Sequence, residues 1–527
     1  MNSSNTTAHG PLHDWRISRT AILAIILGLA IRLYSFTYVP LVNPDGYLYI
    51  QQAKALYYGL LDAILSCYQY LSPYPIFISL NYRIFGDWVI AAKVVSLFFG
   101  TMTLIPVYWL LRRFYNEITS SLALLCFALI PPLIVVSRQL LRDPVYWFFV
   151  MMGLYLFVLH IEKRRRLLTL LSSICFIMGA WARIEGTVFI LISMIYLLLT
   201  KHEHKWQHLI FFLLPFVVLS LLAAVYQSFL DANIIAFLKP GRLMQRVQGV
   251  FVNYKGLRQS LADLEALRPK GFSPEFFPTI RNLLWLIPLG ILAVQIVETL
   301  FYIFFIILVL GIIKSAHRIP KDSRLIYLVT LSVVALIALY AQMMVFWWMS
   351  SRFTVLFLFP AFVFMGAGIE AIVAFTHRRF KLKQSVGYVL ICLIVLLVAL
   401  PKTLRASYIR DKLVFREIGT LISIREKNRR AVSVAGAFKR VRAVHFYANL
   451  NYHGAPCFDG HAILWHPDAA AVKSVQEKGY DYFIWDEKGW NKKGLDMFMK
   501  DPDSGFIKIK EWRSSRRGRL ILYEVRS

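Results

Sequence analysis

Long apolar blocks separated by short charged loops run from about residue 17 to residue 400. A membrane hydrocarbon core needs about 20 mostly apolar residues per helix. Eleven segments fit or approach that length: 17–39, 88–111, 120–137, 143–160, 167–182, 186–200, 207–230, 286–313, 325–347, 353–375 and 385–400. The fifth and sixth are short and nearly continuous. Lysine and arginine gather in every second loop: Arg16 and Arg19 before the first span, then Arg112-Arg113, Lys163 to Arg166, Lys201 to Lys205, Lys314 to Arg324 and His377 to Lys383. By the positive-inside rule those loops face the cytoplasm. The N-terminus is then inside and, after eleven spans, the C-terminus outside. No small-residue cleavage site follows the first span, which reads as a retained anchor.

The outer side collects what is unusual: a loop over 40–87, a loop over 231–285, a tail from Pro401, and the turns Ser137–Asp143, Ala182–Gly186 and Trp348–Arg352. In the first loop, Tyr47 to Leu61 has helical periodicity and predicts an amphipathic helix lying in the interface. Tyr68, Tyr70, Tyr74 and Tyr82 fit an interfacial aromatic belt, and Gly86-Asp87 caps the second span. The tail has short apolar runs, Ala431–Ala435, Tyr480–Trp485 and Leu520–Val525, which predict buried strands, with Ala469–Lys478 a helix between two of them. That alternation predicts a small α/β domain. The chain therefore divides into a multi-pass helical membrane domain over 1–402 and a C-terminal soluble α/β domain over 403–527.

Composition agrees. Of 527 residues, 58% are hydrophobic and only 17% charged, which excludes a soluble enzyme and a disordered chain. The net charge of +29 does not point to nucleic acid, because it sits largely in the loops between apolar blocks, where topology and anionic headgroups account for it. The basic run from Arg425 to Arg442 in the tail suits a docking face against headgroups or a solvated surface. Cys126, Cys175 and Cys392 lie inside apolar blocks as small core residues. Cys67 and Cys457 fall outside them, which leaves a disulfide between the two open. Asn2 and Asn5 stand in glycosylation-type triplets, but in a tail placed inside.

Charged residues on the outer side are the candidates for chemistry. Asp45 stands in Asn43-Pro44-Asp45-Gly46-Tyr47. Pro44 and Gly46 hold a turn and leave the carboxylate able to take a proton from a substrate hydroxyl. Capping the Tyr47 helix is the competing role. Asp143, in Arg138-Gln139-Leu140-Leu141-Arg142-Asp143-Pro144, suits the N-cap of the fourth span, with Arg138 and Arg142 placed to neutralise it or to bind phosphate. Arg183 and Glu185 interrupt an apolar hairpin, as an ion pair or as substrate contacts. Arg352 opens the tenth span. Its planar fork suits a lipid-linked phosphate, and snorkelling beside Trp347 and Trp348 is the alternative. The 231–285 loop carries Lys239, Arg242, Arg246, Lys255, Arg258, Arg268, Lys270 and Arg281, which suit an anionic ligand such as a lipid phosphate; Asp263, Glu265 and Glu275 offset them in part. Glu298, inside the eighth span, marks a cavity or a helix contact. The chain has no Walker-type phosphate loop, no HExxH and no GxSxG, so nothing suggests ATP-driven transport or a zinc hydrolase.

The order of these features resembles the type C integral-membrane glycosyltransferases, in particular the protein O-mannosyltransferase and aminoarabinose-transferase-like group. One span is followed by an outer loop with an aspartate and an interfacial helix, then by Ser72-Pro73-Tyr74-Pro75 and Phe85-Gly86-Asp87 at the second span. A second aspartate opens the fourth span, Arg183 follows the fifth, and an arginine-aromatic pair, Arg352-Phe353, starts a late one. The resemblance covers about residues 15–400, and the tail resembles the variable outer α/β domains of bacterial members. It implies a polyprenyl-phosphate sugar as donor, transfer at the outer leaflet of a bacterial inner membrane, and membrane lipids as partners. It assigns Asp45 and Asp143 to catalysis and Arg352 to the donor phosphate, beside which Arg138 and Arg183 are further phosphate ligands and Glu185, Arg142 and Tyr47 further site candidates. Many relatives have Asp-Glu where Asp45 is followed by Gly46, which weakens the case for a divalent cation held there. The acceptor, whether glycan, lipid or protein, is not specified. The competing readings are a flippase for polyprenyl-linked sugar, against which the lack of an internal repeat counts, and a glycan polymerase or ligase using a diphosphate-linked donor.

Overall fold

The computed structural model describes residues 16–37, 41–68, 70–201, 203–230, 241–267, 271–404, 410–464, 469–488, 490, 505–514 and 518–526. Asn2, Asn5, Lys239, Arg268 and Lys270 lie outside the described residues. The elements in chain order begin with α1 (Arg19–Thr37), α2 (Pro44–Tyr57), α3 (Leu61–Tyr68), α4 (Pro73–Phe85), α5 (Trp88–Met102), α6 (Leu104–Arg112), α7 (Glu117–Ala128) and α8 (Pro131–Arg138). Then come α9 (Asp143–Lys163), α10 (Arg166–Ala182), α11 (Thr187–Leu199), α12 (Lys205–Leu230), α13 (Gly241–Ala266), α14 (Phe276–Leu283), α15 (Leu286–Leu300) and α16 (Tyr302–Ser315). They continue with α17 (Ser323–Phe346), α18 (Val355–Ala361), α19 (Phe364–Phe380), α20 (Gln384–Leu404) and α21 (Arg410–Arg425). The last are β1 (Val434–Gly436), α22 (Val441–Ala448), α23 (Ala469–Glu477), β2 (Tyr482–Asp486), β3 (Phe506–Ser514) and β4 (Gly518–Val525).

The chain is a multi-pass helical membrane protein. Among the described residues six helices are long and apolar enough to cross a bilayer, or nine when each of three bent pairs makes one span. The pair α7 and α8 bends by 56° where Pro131, which has no N–H to donate, ends the first helix and starts the second. Helices α10, α11 and α16 are shorter and equally apolar. Ten of the eleven expected segments coincide with one helix or one broken pair. The eighth does not: 286–313 is broken into α15 and α16 at Phe301, whose φ of 65° no continuous helix allows. The loop 231–285 is not open chain either, because the long helix α13 lies within it.

The chain forms two compact units. The first holds residues 1–33, 97–137 and 142–405. Two of its helices, α16 and α19, meet backbone to backbone: a Cβ on Gly311 would collide with the Phe364 carbonyl, and one on Gly368 with that of Ile307. Small residues at a crossing are how membrane helices approach closely when lipid and protein are equally apolar. Two of the arginines that the charge rule assigned to topology also have partners. Arg113 and Arg324 share the Glu162 carboxylate, and Arg324 also pairs with Asp322 at 2.6 Å and lies 4.7 Å over the Phe114 ring.

The second unit holds 34–96, 138–141 and 406–527. Its four-stranded sheet has the order β1-β2-β4-β3, with β1 and β2 parallel and the other pairs antiparallel. The sheet buries Val434, Tyr482, Ile484, Leu520 and Leu522 against Phe415, Ile418 and Ile422 of α21 and Val441 and Val444 of α22. The predicted strands near β1, β2 and β4 and the helix α23 are present. β3, with only its ends buried, lacks the apolar run that marks the others.

The helix α2 is not an interfacial helix with one free face. Tyr49 to Ala55 are buried, and the Lys54 ammonium, fully buried, donates to the carbonyls of Asn449 at 2.7 Å and Leu450 at 3.0 Å. The Val42 amide donates to the Tyr447 hydroxyl at 2.9 Å. A disulfide joins Cys67 to Cys457, with Cα atoms 5.9 Å apart. Tyr74 is likewise core rather than belt, with its hydroxyl against Ser96 Oγ at 2.7 Å and the Ala92 carbonyl at 3.0 Å. Asp87 does cap: its carboxylate accepts from the Ile90 amide at 2.8 Å.

Burial pushes the Lys54 ammonium from its usual value of 10.5 down to about 7. Between those values the unfolded chain binds the proton more tightly than the folded one, so stability rises with pH over that interval. The unfolding temperature of the wild type should climb from pH 7 to about pH 9, and Lys54→Met, which cannot titrate, should lose that slope. An equal slope in both would contradict the assignment.

Candidate functional site

The hairpin between α10 and α11 is tight because its backbone folds onto the helix before it. A Cβ on Gly186 would fall 2.6 Å from the Ala180 amide nitrogen, so the turn Arg183-Ile184-Glu185-Gly186 needs a glycine there. The turn buries Arg183, which is 4% exposed. Its guanidinium takes both oxygens of Glu185, Nε to Oε2 and Nη2 to Oε1, each at 3.2 Å. Its remaining Nη1 pairs with Asp143, whose side chain is 2% exposed. One cation thus holds two carboxylates, and its fork geometry is what lets it reach both.

Aromatic rings complete this cluster. The Arg183 guanidinium carbon lies 4.6 Å from the Phe353 ring centre and 5.8 Å from that of Tyr146, while Arg352 lies 5.5 Å from Phe353. Phe353 therefore contacts two guanidinium groups, and a ring face favours both. Burial alone would raise the Glu185 carboxyl, but the adjacent Arg183, helped by Arg142, outweighs it and holds the group at about 2. Arg183 is pushed up in turn: burial works against its charge, and Asp143 and Glu185 overcome that.

Asp143 is not the N-cap of its span. That position is Arg142, and Asp143 is the first helical residue, its carboxylate committed to Arg183. Asp45 is not an N-cap either. Asn43 holds the N-cap position of α2 without a side-chain capping bond, Pro44 is its first residue, and Asp45 stands half-buried in the first turn. The next residue, Gly46, packs so closely on Val42, Asn43 and Leu140 that a Cβ there would lie within 2.9 Å of each. Asp45 is thus presented by a helix end with little freedom to shift.

The structure brings Asp143, Arg183, Glu185, Arg142 and Arg352 together in the first unit. Asp45, Tyr47 and Arg138 belong to the second. Arg352 lies in the turn three residues before α18. Of the 231–285 residues, Arg281 pairs with Glu265 at 2.7 Å, and Glu298 lies on the exposed face of α15. Tyr146, inside an apolar span, carried no sequence signal. Arg32 was missed as well: it is buried in α1, where it donates to the Gly28 carbonyl at 3.0 Å and to Ser137 Oγ at 3.3 Å. Among the described residues no three or more His, Cys, Asp or Glu side chains converge as a metal-ligand set.

Residues 73–226 match the family model for dolichyl-phosphate-mannose-protein mannosyltransferase. Comparison with curated protein sequences gives no match. Among solved structures, the oligosaccharyltransferase of Archaeoglobus fulgidus, in complex with Zn and sulfate, is similar at a TM-score of 0.58 and 13% identity, over 95% of this chain and 72% of that one. ArnT from Cupriavidus metallidurans, bound to undecaprenyl phosphate, is similar at a TM-score of 0.55 and 11% identity, over 96% of this chain and 98% of that one. At such identities the likeness is one of fold.

Arg183→Ala would leave two buried carboxylates without a counter-ion. Losses of this kind cost about 3–5 kcal/mol, so the unfolding temperature of the purified protein should fall sharply. Arg183→Lys should recover only part of the loss, because an ammonium cannot reproduce the fork. Full stability in the alanine variant would contradict the arrangement. In fold, and over residues 73–226 in sequence pattern, this chain is similar to the type C integral-membrane glycosyltransferases.

Proposed function

We propose that this protein moves a sugar from a polyprenyl-phosphate carrier to a hydroxyl acceptor, at the outer face of a bacterial inner membrane, by a single displacement. The observation that carries the reading is Asp45: a half-buried carboxylate in the first turn of a helix pinned by Gly46 and Lys54, with a disulfide fastening the helix that follows. A general base needs such a fixed position. The acceptor oxygen attacks the anomeric carbon, the bond from that carbon to the phosphate oxygen breaks, and the acceptor proton passes to Asp45. The anomeric configuration inverts.

The leaving lipid phosphate is already an anion and needs no proton donor. It needs positive charge at the point where negative charge develops, and Arg352, with Arg138, is assigned to supply it. Arg183 is fully occupied by its two carboxylates, so its part is to hold Asp143 and Glu185 in place. Asp143, held by that contact, orients the reacting groups. The disulfide supports the outer placement of loop 40–87 and the C-terminal tail, since such bonds persist in oxidising compartments.

Purified protein with synthetic polyprenyl-phosphate sugars tests this. The wild type should release or transfer the sugar, and Asp45→Asn, with an unchanged unfolding temperature, should lose at least a hundredfold in rate. Undiminished activity in Asp45→Asn would remove the base from Asp45. Passage of intact lipid-linked sugar across liposomes without any turnover would replace the enzyme by a flippase.

A further inference from the structure

The second unit contains a cavity of about 230 Å³ between α2 and the C-terminal part of the chain, closed at one side by the Cys67–Cys457 disulfide. It is smaller than the roughly 300–1,000 Å³ of sites for drug-sized ligands, so it takes one ring rather than a chain. Pro44, Tyr47 and Gln51 line it from α2. These positions recur at helical spacing on one stripe. Asp45 stands in the same first turn, about 100° around the axis from Pro44 and about 9 Å along it from Gln51 at the usual rise per residue.

Gln51 is 5% exposed, yet neither its amide nitrogen nor its amide oxygen has a hydrogen-bond partner. An unpaired buried amide costs free energy, and this one lines the cavity. What satisfies it must donate and accept within one small group. A hydroxyl does both, a phosphate only accepts, and an alkyl chain does neither. Around it the walls are aromatic. Tyr47 stacks on Phe446 with ring centres 4.6 Å apart, and Phe458 also lines the cavity, with the exposed Arg442 guanidinium 5.3 Å over its ring. Burial holds the neighbouring His445 imidazole down at about 4, hence neutral at physiological pH. No carboxylate lines the cavity, so it is not built for a cation.

We propose that this cavity binds one pyranose ring of a glycan acceptor, with a ring hydroxyl on the Gln51 amide, the ring faces against Tyr47 and Phe458, and the free end directed to the first turn of α2. The proposal rests on the transferase reading and names its acceptor class. A sugar ring joins apolar C–H faces to hydroxyls, which is the pairing of surfaces these walls present.

Saturation-transfer NMR on the full-length protein in lipid nanodiscs, with a panel of methyl hexosides and no donor present, tests it. At least one hexoside should receive saturation at its ring protons. Gln51→Leu should weaken that binding about tenfold. Gln51→Glu, which keeps the shape and loses the donor, should fall between. If Gln51→Leu lowers the unfolding temperature, Arg442→Ala at the exposed rim decides, with a loss of about threefold expected. No bound hexoside in the wild type, equal binding in the variants, or binding of an acetylated serine dipeptide in preference to every sugar would overturn the proposal. Binding and turnover are read separately. Transfer without hexoside binding sinks this site alone, and hexoside binding without transfer sinks the transferase reading alone.

Discussion

A buried guanidinium cannot stand alone at the edge of a hydrocarbon region, and the organisation of the first unit around Arg183 follows from that constraint. Desolvating it is affordable only because Asp143 and Glu185 meet it at close range and Phe353 and Tyr146 cover it. The arrangement ties three segments far apart in sequence, the start of α9, the hairpin after α10 and the turn before α18. Each is held where its charged residue must be. Gly186 is part of the same constraint, because the hairpin closes onto Ala180 only without a side chain.

The second unit solves a different problem, the placement of a short helix with no span of its own. Lys54 is bonded to two carbonyls, Val42 to Tyr447, and Cys67 to Cys457, so α2 is fastened along its length and beyond it to the C-terminal part of the chain. That fastening gives Asp45 a defined position and leaves an aromatic cavity, open at one rim, along one face of the helix. The same cross-links, 390 residues apart at the disulfide, explain why a soluble-looking tail belongs with an early loop.

Much of this was legible from the chain alone, for physical reasons. Apolar blocks must be helices in a bilayer, because only a helix satisfies its own backbone, and the charged residues that interrupt them are too costly to be incidental. Arg183 and Glu185 stand out for that reason, and Asp45, Asp143 and Arg352 because they stand in the loop and turns of the outer side. What stayed hidden depended on tertiary partners. Tyr74 looks like an interfacial tyrosine until Ser96 and Ala92 are placed around its hydroxyl. Asp143 looks like a helix cap until Arg183 reaches it. The break at Phe301 has no glycine or proline to announce it, and β3 interleaves Ile507 and Ile509 with lysines, so it lacks the continuous apolar run of a buried strand. The pairing of Cys67 with Cys457 was open in the sequence because two cysteines outside apolar blocks carry no distance information.

In the proposed reaction the leaving group is a lipid monophosphate and the displacement is single. This is tested most directly by identifying both products of one reaction, the lipid by phosphorus NMR and the glycoside by its anomeric coupling. Such a displacement yields polyprenyl monophosphate in equal amount to transferred sugar, with the anomeric configuration inverted. A polyprenyl diphosphate product, or a glycoside of retained configuration, would contradict it.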